Sequence, residues 1–261
     1  MKSLFKKFLC LALTSIAITG LFASDSFSSE AEAASKNIVV VLDPGHDTTH
    51  TGCQYMGIDE GTVNLYIAYY CKQELEKYDG VTVYMTRYDW DCAYGADEDS
   101  TSACLTGRVN YAASVNADVF VSLHNDYDSD VDTSVNGCKV IVQNPNYVPS
   151  LYTIDSGLAS SILTELTKTG LNINDWKMCP NGTGIVTRDS TGGLYPDGSA
   201  KDYYAVLNKT KTLGIPGIII EHAYITNDSD RLNHLSTTTQ LQELGVADAT
   251  GIANYYGLTL K

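Results

Sequence analysis

The sequence predicts an α/β fold: a single domain with a mostly parallel central β-sheet flanked by helices on both faces. Strand-like and helix-like runs alternate from residue 37 onward, the order that builds parallel sheets through helical crossovers. The strand runs are continuous and β-branched, which suits strands covered on both faces. No internal repeat and no second block of composition interrupts this alternation, so residues 35–261 are expected to form one domain of ordinary size.

Taken in order, residues 37–42 (NIVVVL) read as the first buried strand. Residues 60–78 place Val63, Ile67, Tyr70, Cys71 and Leu75 at helical spacing, the mark of an amphipathic helix. Residues 81–85 (VTVYM) read as a strand, 105–115 as a helix and 118–123 (DVFVSL) as a second buried strand. Residues 138–142 (CKVIV) continue the strands, 151–169 read as a helix, and 217–220 (GIII) form the last clear strand. Residues 228–256 close the chain as one or two helices. The polar stretches 89–107, 126–136 and 189–202, rich in Asp, Gly, Ser and Tyr, read as loops.

The first 34 residues stand apart. Lys2, Lys6 and Lys7 precede an apolar run over residues 8–23, and Ala31-Glu32-Ala33-Ala34 offers an Ala-x-Ala cleavage signal. That order reads as a secretory signal peptide over residues 1–34; its apolar run of about 16 residues is short for a membrane span. No later run is long and apolar enough to cross a bilayer, so the expectation is an exported product, extracellular or wall-associated, with no transmembrane segment. The net charge of −14 excludes nucleic acid as a partner, because phosphate binding needs a basic footprint. Recognition of an anionic polymer would then rest on a shaped site rather than on bulk charge.

Beyond Cys10 in the signal segment, the chain carries Cys53, Cys71, Cys92, Cys104, Cys138 and Cys179. An even number of thiols in an exported chain permits disulfides, with about 15 possible connectivities. Cys92 and Cys104, bracketing a polar stretch, are the first pair to consider, whereas Cys71 falls on a helical apolar face and reads as core. No CxxC pair occurs, so a zinc site made of cysteines alone is set aside.

Three ionisable residues follow strand runs at equivalent places. His46 follows NIVVVL through the turn Asp43-Pro44-Gly45, His124 follows DVFVSL, and Glu221 follows GIII. Ligands of open α/β sheets gather at the carboxyl ends of the strands, so neighbouring parallel strands would bring all three to one edge. Any one of them alone would read as an ordinary surface residue. Glu60 opens the first helix and can reach back to the same edge; alone, it would do no more than complement the helix dipole. Two histidines and one carboxylate form a ligand set used by catalytic zinc, with a fourth position left for water. Such a metal lowers the pKa of water to about 7 and polarises a carbonyl, and a second carboxylate, here Glu221, moves the proton. No HExxH motif is present, so the helix-borne protease arrangement is absent.

The stretch Leu42-Asp43-Pro44-Gly45-His46, then Glu60, Asn64, Thr86-Arg87, Arg108, Ser122-Leu123-His124-Asn125 and Ile220-Glu221 resembles the zinc-dependent N-acetylmuramoyl-L-alanine amidases of the type-3 family over nearly the whole of residues 35–261. The resemblance implies one Zn2+ ion held by His46, Glu60 and His124, with Glu221 as the catalytic acid/base. It implies peptidoglycan as the substrate, cut at the amide between N-acetylmuramic acid and L-alanine of the stem peptide. Asp47-Thr48 stand where the family commonly has Gly-Gly, and Glu221-His222-Ala223-Tyr224 where it often has Glu-x-Gly-Phe; both differences bear on the shape of the groove.

Other signals carry less. His50 lies in a loop and reads as a residue that orients a ligand or the substrate. Strand alternation sends His222 to the face opposite Glu221, and His234 reads as solvated. Asp126, Asp128, Asp130 and Asp132 alternate as in a calcium loop, but Val131 stands where such a loop needs glycine and Gly137 where it needs glutamate, so they read as a solvated acidic loop. Arg108 and Asn125 are the candidate substrate contacts, since Arg suits bidentate carboxylate recognition. Two competing readings remain. A non-catalytic wall-binding or regulatory protein with the same fold would be signalled by loss of one of the four residues, and all four are present. A metal-free glycosidase with two carboxylates is separated from an amidase by chelation.

Overall fold

The computed structural model describes residues 37–94, 101–128, 134–174 and 182–261. The segment read as a signal peptide, Cys179, and parts of the polar stretches 89–107 and 126–136, Asp130 and Asp132 among them, lie outside the described residues. Ten strands occur among the described residues: β1 (Ile38–Pro44), β2 (Gln54–Tyr55), β3 (Ile58–Asp59), β4 (Val81–Met85), β5 (Val119–Asp126), β6 (Lys139–Val142), β7 (Ile185–Val186), β8 (Asp189–Leu194), β9 (Ala200–Asp202) and β10 (Gly217–Tyr224). The helices are α1 (Glu60–Leu75), α2 (Thr101–Ser114), α3 (Pro149–Lys168), α4 (Ala205–Thr212), the short α5 (Asp228–Asp230), which runs into a π-helical turn at Arg231–Leu235, and α6 (Thr238–Tyr256).

Six strands form the central sheet in the order β4-β1-β5-β10-β6-β7. Every neighbouring pair is parallel except β10 with β6, so the sheet is mostly parallel, as the alternation of elements predicts. Period-two alternation divides its side chains. Val40, Leu42, Val121, Leu123, Ile218 and Ile220 point to the face covered by α1, α3 and α6. Val41, Phe120, Ile141 and Ile219 point to the face covered by α2 and α4. Each fully buried aliphatic of this kind contributes about 1.5–3 kcal/mol, which explains why the strand runs lack polar breaks.

Local chemistry fixes the helix ends. The Asp59 carboxylate accepts the Thr62 N–H at 2.8 Å and starts α1, and a Thr237–Gln240 capping box starts α6, a device worth about 1 kcal/mol. The buried stripe of α1, including Ile67, Ala68, Cys71 and Leu75, faces the core, and Cys71 is a core thiol as its spacing implies.

Beyond the short elements β2, β3, β7 and α4, which the apolar pattern does not show, the structure differs from the sequence reading in three places. α2 begins four residues earlier than the apolar pattern does. The polar stretch 189–202 folds as the antiparallel pair β8–β9, held by a buried network in which Lys211 Nζ meets Asn144 Oδ1 at 2.6 Å and Asp202 Oδ2 at 2.9 Å. Finally, β5 and β10 run on past their apolar residues. Tyr224 still pairs with Asp126, so His124 and Glu221 lie within strands rather than after them.

Candidate metal centre and acid/base

The carboxyl ends of β1, β5 and β10 lie side by side. Pro44 pairs with Leu123, and Glu221 with His124, so the register itself sets Glu221 beside His124. The chain leaves β1 through Gly45 into His46, which adopts φ 62°. That left-handed conformation is uncommon for a residue with a side chain and costs about 1–3 kcal/mol. Strain of this size persists only where surrounding contacts enforce it. Here the His46 Nδ1–H donates to the His50 carbonyl at 3.1 Å, an assignment that follows because a carbonyl only accepts. His46 Nε2 lies 3.2 Å from Glu60 Oε1 and is the ring nitrogen that would exchange its proton for a metal ion.

Glu60 is the meeting point. Its Oε1 lies 3.1 Å from His124 Nδ1 and its Oε2 accepts the Cys53 N–H at 2.9 Å. The His46 and His124 rings stand edge to face with centroids 4.9 Å apart. Two glycines make room for this convergence. A Cβ at Gly45 would lie 2.2 Å from the His124 ring, and one at Gly52 would lie 2.3 Å from Glu60 Oε2. Ligand bonds of about 2.0–2.2 Å to a tetrahedral ion set donor atoms roughly 3.3 Å apart, close to the spacing found here. Two imidazoles and a carboxylate at this spacing have the chemistry and the fit of a zinc centre. Burial opposes ionisation of Glu60, but hydrogen bonds from His124 and His46 overcome it and hold the carboxyl far below its ordinary range. Burial lowers the His46 pKa, and Glu60 more than reverses this.

Glu221 is built differently. Its Oε2 is buried without a hydrogen-bond partner. Burial, and then the charge of Asp126, raise its pKa well above the carboxylate range against the opposing charge of Lys139. Lys139 pairs with Glu221 across the antiparallel β6–β10 ladder, and its ammonium contacts the Asp126 carboxylate and the Tyr224 hydroxyl, the latter at 2.8 Å. Neither Lys139 nor Asp126 stands out in the sequence as part of a site. Asp126, read there as part of a solvated acidic loop, is instead the last residue of β5 and an ion-pair partner.

The two candidate substrate contacts are placed elsewhere. Arg108 is buried, and its five N–H groups meet Cys104 Sγ, Asp43 Oδ1, the Pro44 and His46 carbonyls and Asp47 Oδ2. No donor is left for a substrate carboxylate; Arg108 instead braces the backbone that presents His46. Asn125 is buried on the face opposite His124 and donates to Asn64 Oδ1 at 2.9 Å. With Asn64 donating to the Gly45 carbonyl at 3.2 Å, it ties α1 to the strand ends. Arg87 does similar work, donating to the carbonyls of Pro44, Gly45 and Gly61.

A cavity of about 220 Å³ adjoins His46 and His124 and is lined by His50, Leu105, Tyr204, Val206 and Ile219 among others. A larger depression of about 630 Å³, lined by residues of α3 and α6 such as Glu165 and Glu243, contains none of the convergent residues. The geometry therefore assigns the smaller cavity to the site. His50 lines it with Nε2 buried and unpartnered, while its Nδ1 meets Asp47 Oδ1 at 3.1 Å.

Solved structures share this fold. Cwp6 from Clostridium difficile superposes with TM-score 0.64 at 24% identity over 84% of this chain and 29% of that protein, so the chain spans less than a third of Cwp6. The CwlD amidase from Clostridioides difficile, solved in complex with the GerS lipoprotein, gives TM-score 0.63 at 20% identity, covering 85% of this chain and 99% of that one. The catalytic domain of CwlV, an N-acetylmuramoyl-L-alanine amidase from Bacillus (Paenibacillus) polymyxa var. colistinus, gives 0.60 at 21% identity, with 85% and 99% covered. No curated protein sequence matches significantly. The sequence matches the N-acetylmuramoyl-L-alanine amidase family over residues 40–254, and the chain belongs to that family.

Proposed function

We propose that the protein is an exported peptidoglycan hydrolase that cleaves the amide between N-acetylmuramic acid and the L-alanine of the stem peptide. The observation that carries this reading is the convergence of His46 and His124 on Glu60 Oε1 with Glu221 in register beside His124. His46, Glu60 and His124 would hold one Zn2+ ion, which when bound acts as a Lewis acid toward a carbonyl and acidifies water. Glu221 moves the proton. Its carboxylate takes a proton from the water that adds to the lactyl carbonyl carbon and delivers it to the stem-peptide nitrogen as the C–N bond breaks. A carboxyl whose pKa burial has raised is suited to that exchange near neutral pH. The products are a lactyl carboxylate on the glycan and a peptide with a free L-alanine amino group. Arg108, Arg87 and Asn64 hold the backbone of residues 44–46 still while this happens.

Export and action at the wall fit the charged and apolar start of the chain, and among the described residues no helix is long and apolar enough to cross a membrane. Mass spectrometry of peptidoglycan incubated with the protein tests the reaction. Free stem peptides with an L-alanine amino terminus are expected, abolished by EDTA and restored by zinc. New reducing sugars without free peptides would assign the protein to the glycosidases instead.

A further inference from the structure

A second set of metal-ligating groups lies next to the first and shares no residue with it. Among the described residues, Asp47, His50, Cys92 and Cys104 bring one oxygen, one nitrogen and two sulfurs within 4.8 Å of one another. Cys92 Sγ is 3.4 Å from Cys104 Sγ, and Asp47 Oδ2 is 3.7 Å from Cys104 Sγ and 3.3 Å from His50 Nδ1. Around a tetrahedral zinc ion, with bonds of about 2.3 Å to sulfur and 2.0–2.2 Å to nitrogen and oxygen, donor atoms are separated by roughly 3.3–3.8 Å. These three spacings fall within that pattern, and the remaining donor pairs lie within 4.8 Å.

Three segments supply the groups: the loop after His46, the stretch following β4, and the first turns of α2. The Thr48 N–H donates to the Trp90 carbonyl at 2.8 Å and holds the first two of these segments together. The surrounding charge is of the right sign. Two thiolates, one carboxylate and a divalent cation sum to −1, and the buried Arg108 guanidinium, shared with Asp43, offsets part of that charge from 2.8 Å on Asp47 Oδ2 and 3.3 Å on Cys104 Sγ. An N–H directed at a sulfur is what a metal-bound thiolate requires of its surroundings. A disulfide between Cys92 and Cys104 would use the two sulfurs alone. It would leave Asp47 to the Arg108 guanidinium and to the Thr49 and His50 N–H groups of its own loop, and it would leave the Arg108 N–H facing a neutral sulfur.

We propose that Asp47, His50, Cys92 and Cys104 form a second, structural site for a thiophilic divalent cation of the zinc type. The ion clamps the loop carrying His46 to the stretch after β4 and to α2, and the two thiols release their protons on binding. Because Asp47 adjoins His46 and the His50 carbonyl receives the His46 Nδ1–H, such a clamp fixes the first ligand of the neighbouring centre. The inference does not depend on the reaction proposed above, since it needs only the four side chains.

The two centres differ in one measurable respect: the first contains no sulfur. Protein loaded with Co2+ should therefore show thiolate-to-cobalt charge-transfer absorption in the near ultraviolet that arises from the second site alone. The expected result is a band that survives His46→Ala and is lost in the Cys92→Ser, Cys104→Ser double variant. Zinc content should fall from two ions per chain to one in the double variant, and likewise in His46→Ala. Thiol titration and intact mass of the native protein, purified without added reductant, keep the test independent of the variants. A mass lighter by two hydrogen atoms with both thiols blocked would overturn the proposal in favour of a disulfide. Free thiols with no sulfur-to-metal band would overturn it outright.

Discussion

Glu221 and His222 follow one another on β10, and alternation sends their side chains to opposite faces of the sheet. On the α2–α4 face, Glu221 keeps a carboxylate oxygen with no partner and has the charges of Asp126 and Lys139 beside it. On the α6 face, both His222 nitrogens are engaged, Nε2 with Asp248 at 2.8 Å and Nδ1 with the His124 carbonyl at 2.8 Å. The contrast separates a group that can exchange a proton from one that is committed. His222 reaches the proposed metal ligand His124 only through its backbone, as a brace. On the proposed reading, adjacent residues of the same strand thus belong to reactive site and framework respectively, and substitutions should separate the two.

The largest effect is expected where the ligands meet. His124→Ala or Glu60→Ala should abolish metal retention at the first site and reduce turnover more than about 10⁴-fold, beyond what one acid–base group supplies. Metal analysis of the purified variants checks this, and full zinc content without that pair would dismantle the ligand assignment. Glu221→Gln should keep the metal and the fold while turnover drops about 10²–10⁴-fold. Unchanged turnover in that variant would erase the distinction drawn on β10. His222→Ala sharpens the comparison from the other side. It leaves the Asp248 carboxyl buried without its partner, a change that costs about 3–5 kcal/mol of stability, read by urea unfolding. Turnover of the folded fraction should stay within about tenfold. A collapse of turnover at full stability would move His222 into the reactive site.

How much of this was legible in the sequence depends on the range of the interactions. His46, His124 and Glu221 follow apolar strand runs, so the edge on which they meet could be read from the pattern. Their placement inside longer strands could not, because backbone pairing beyond Leu123 and Ile220 ignores side-chain identity. Lys139 was invisible as a neighbour of Glu221. The run CKVIV shows a strand, but only the antiparallel register with β10 sets the two side by side. Arg108 and Asn125 were misjudged as substrate contacts for a related reason. A polar residue near a motif looks available until the fold shows all its donors engaged, as for Arg108, or its side chain turned to the opposite face, as for Asn125. The short β7 and the Lys-bearing α4 carry too little apolar periodicity to be seen at all.

A last effect, on pH dependence, lies at the other end of the same strand. There the Asp155 carboxylate, on α3, accepts the Gly217 N–H at 3.0 Å. Burial pushes its pKa up to about 8, against the opposing influence of that N–H. The unfolded chain releases this proton near pH 4, so between about pH 4 and pH 8 the folded state holds a proton that the unfolded state has lost. The stability contribution is therefore complete below about pH 4 and is eroded as pH rises through that window, levelling above about pH 8. Asp155→Asn keeps an oxygen for Gly217 and removes the titration. Its melting temperature should fall less steeply with pH than that of the parent, with the variant gaining most at pH 8 and little near pH 5. Thermal unfolding across that range reads the difference, and parallel curves would mean that the start of β10 carries no titrating group, leaving Glu221 as the strand's own burial-raised acid.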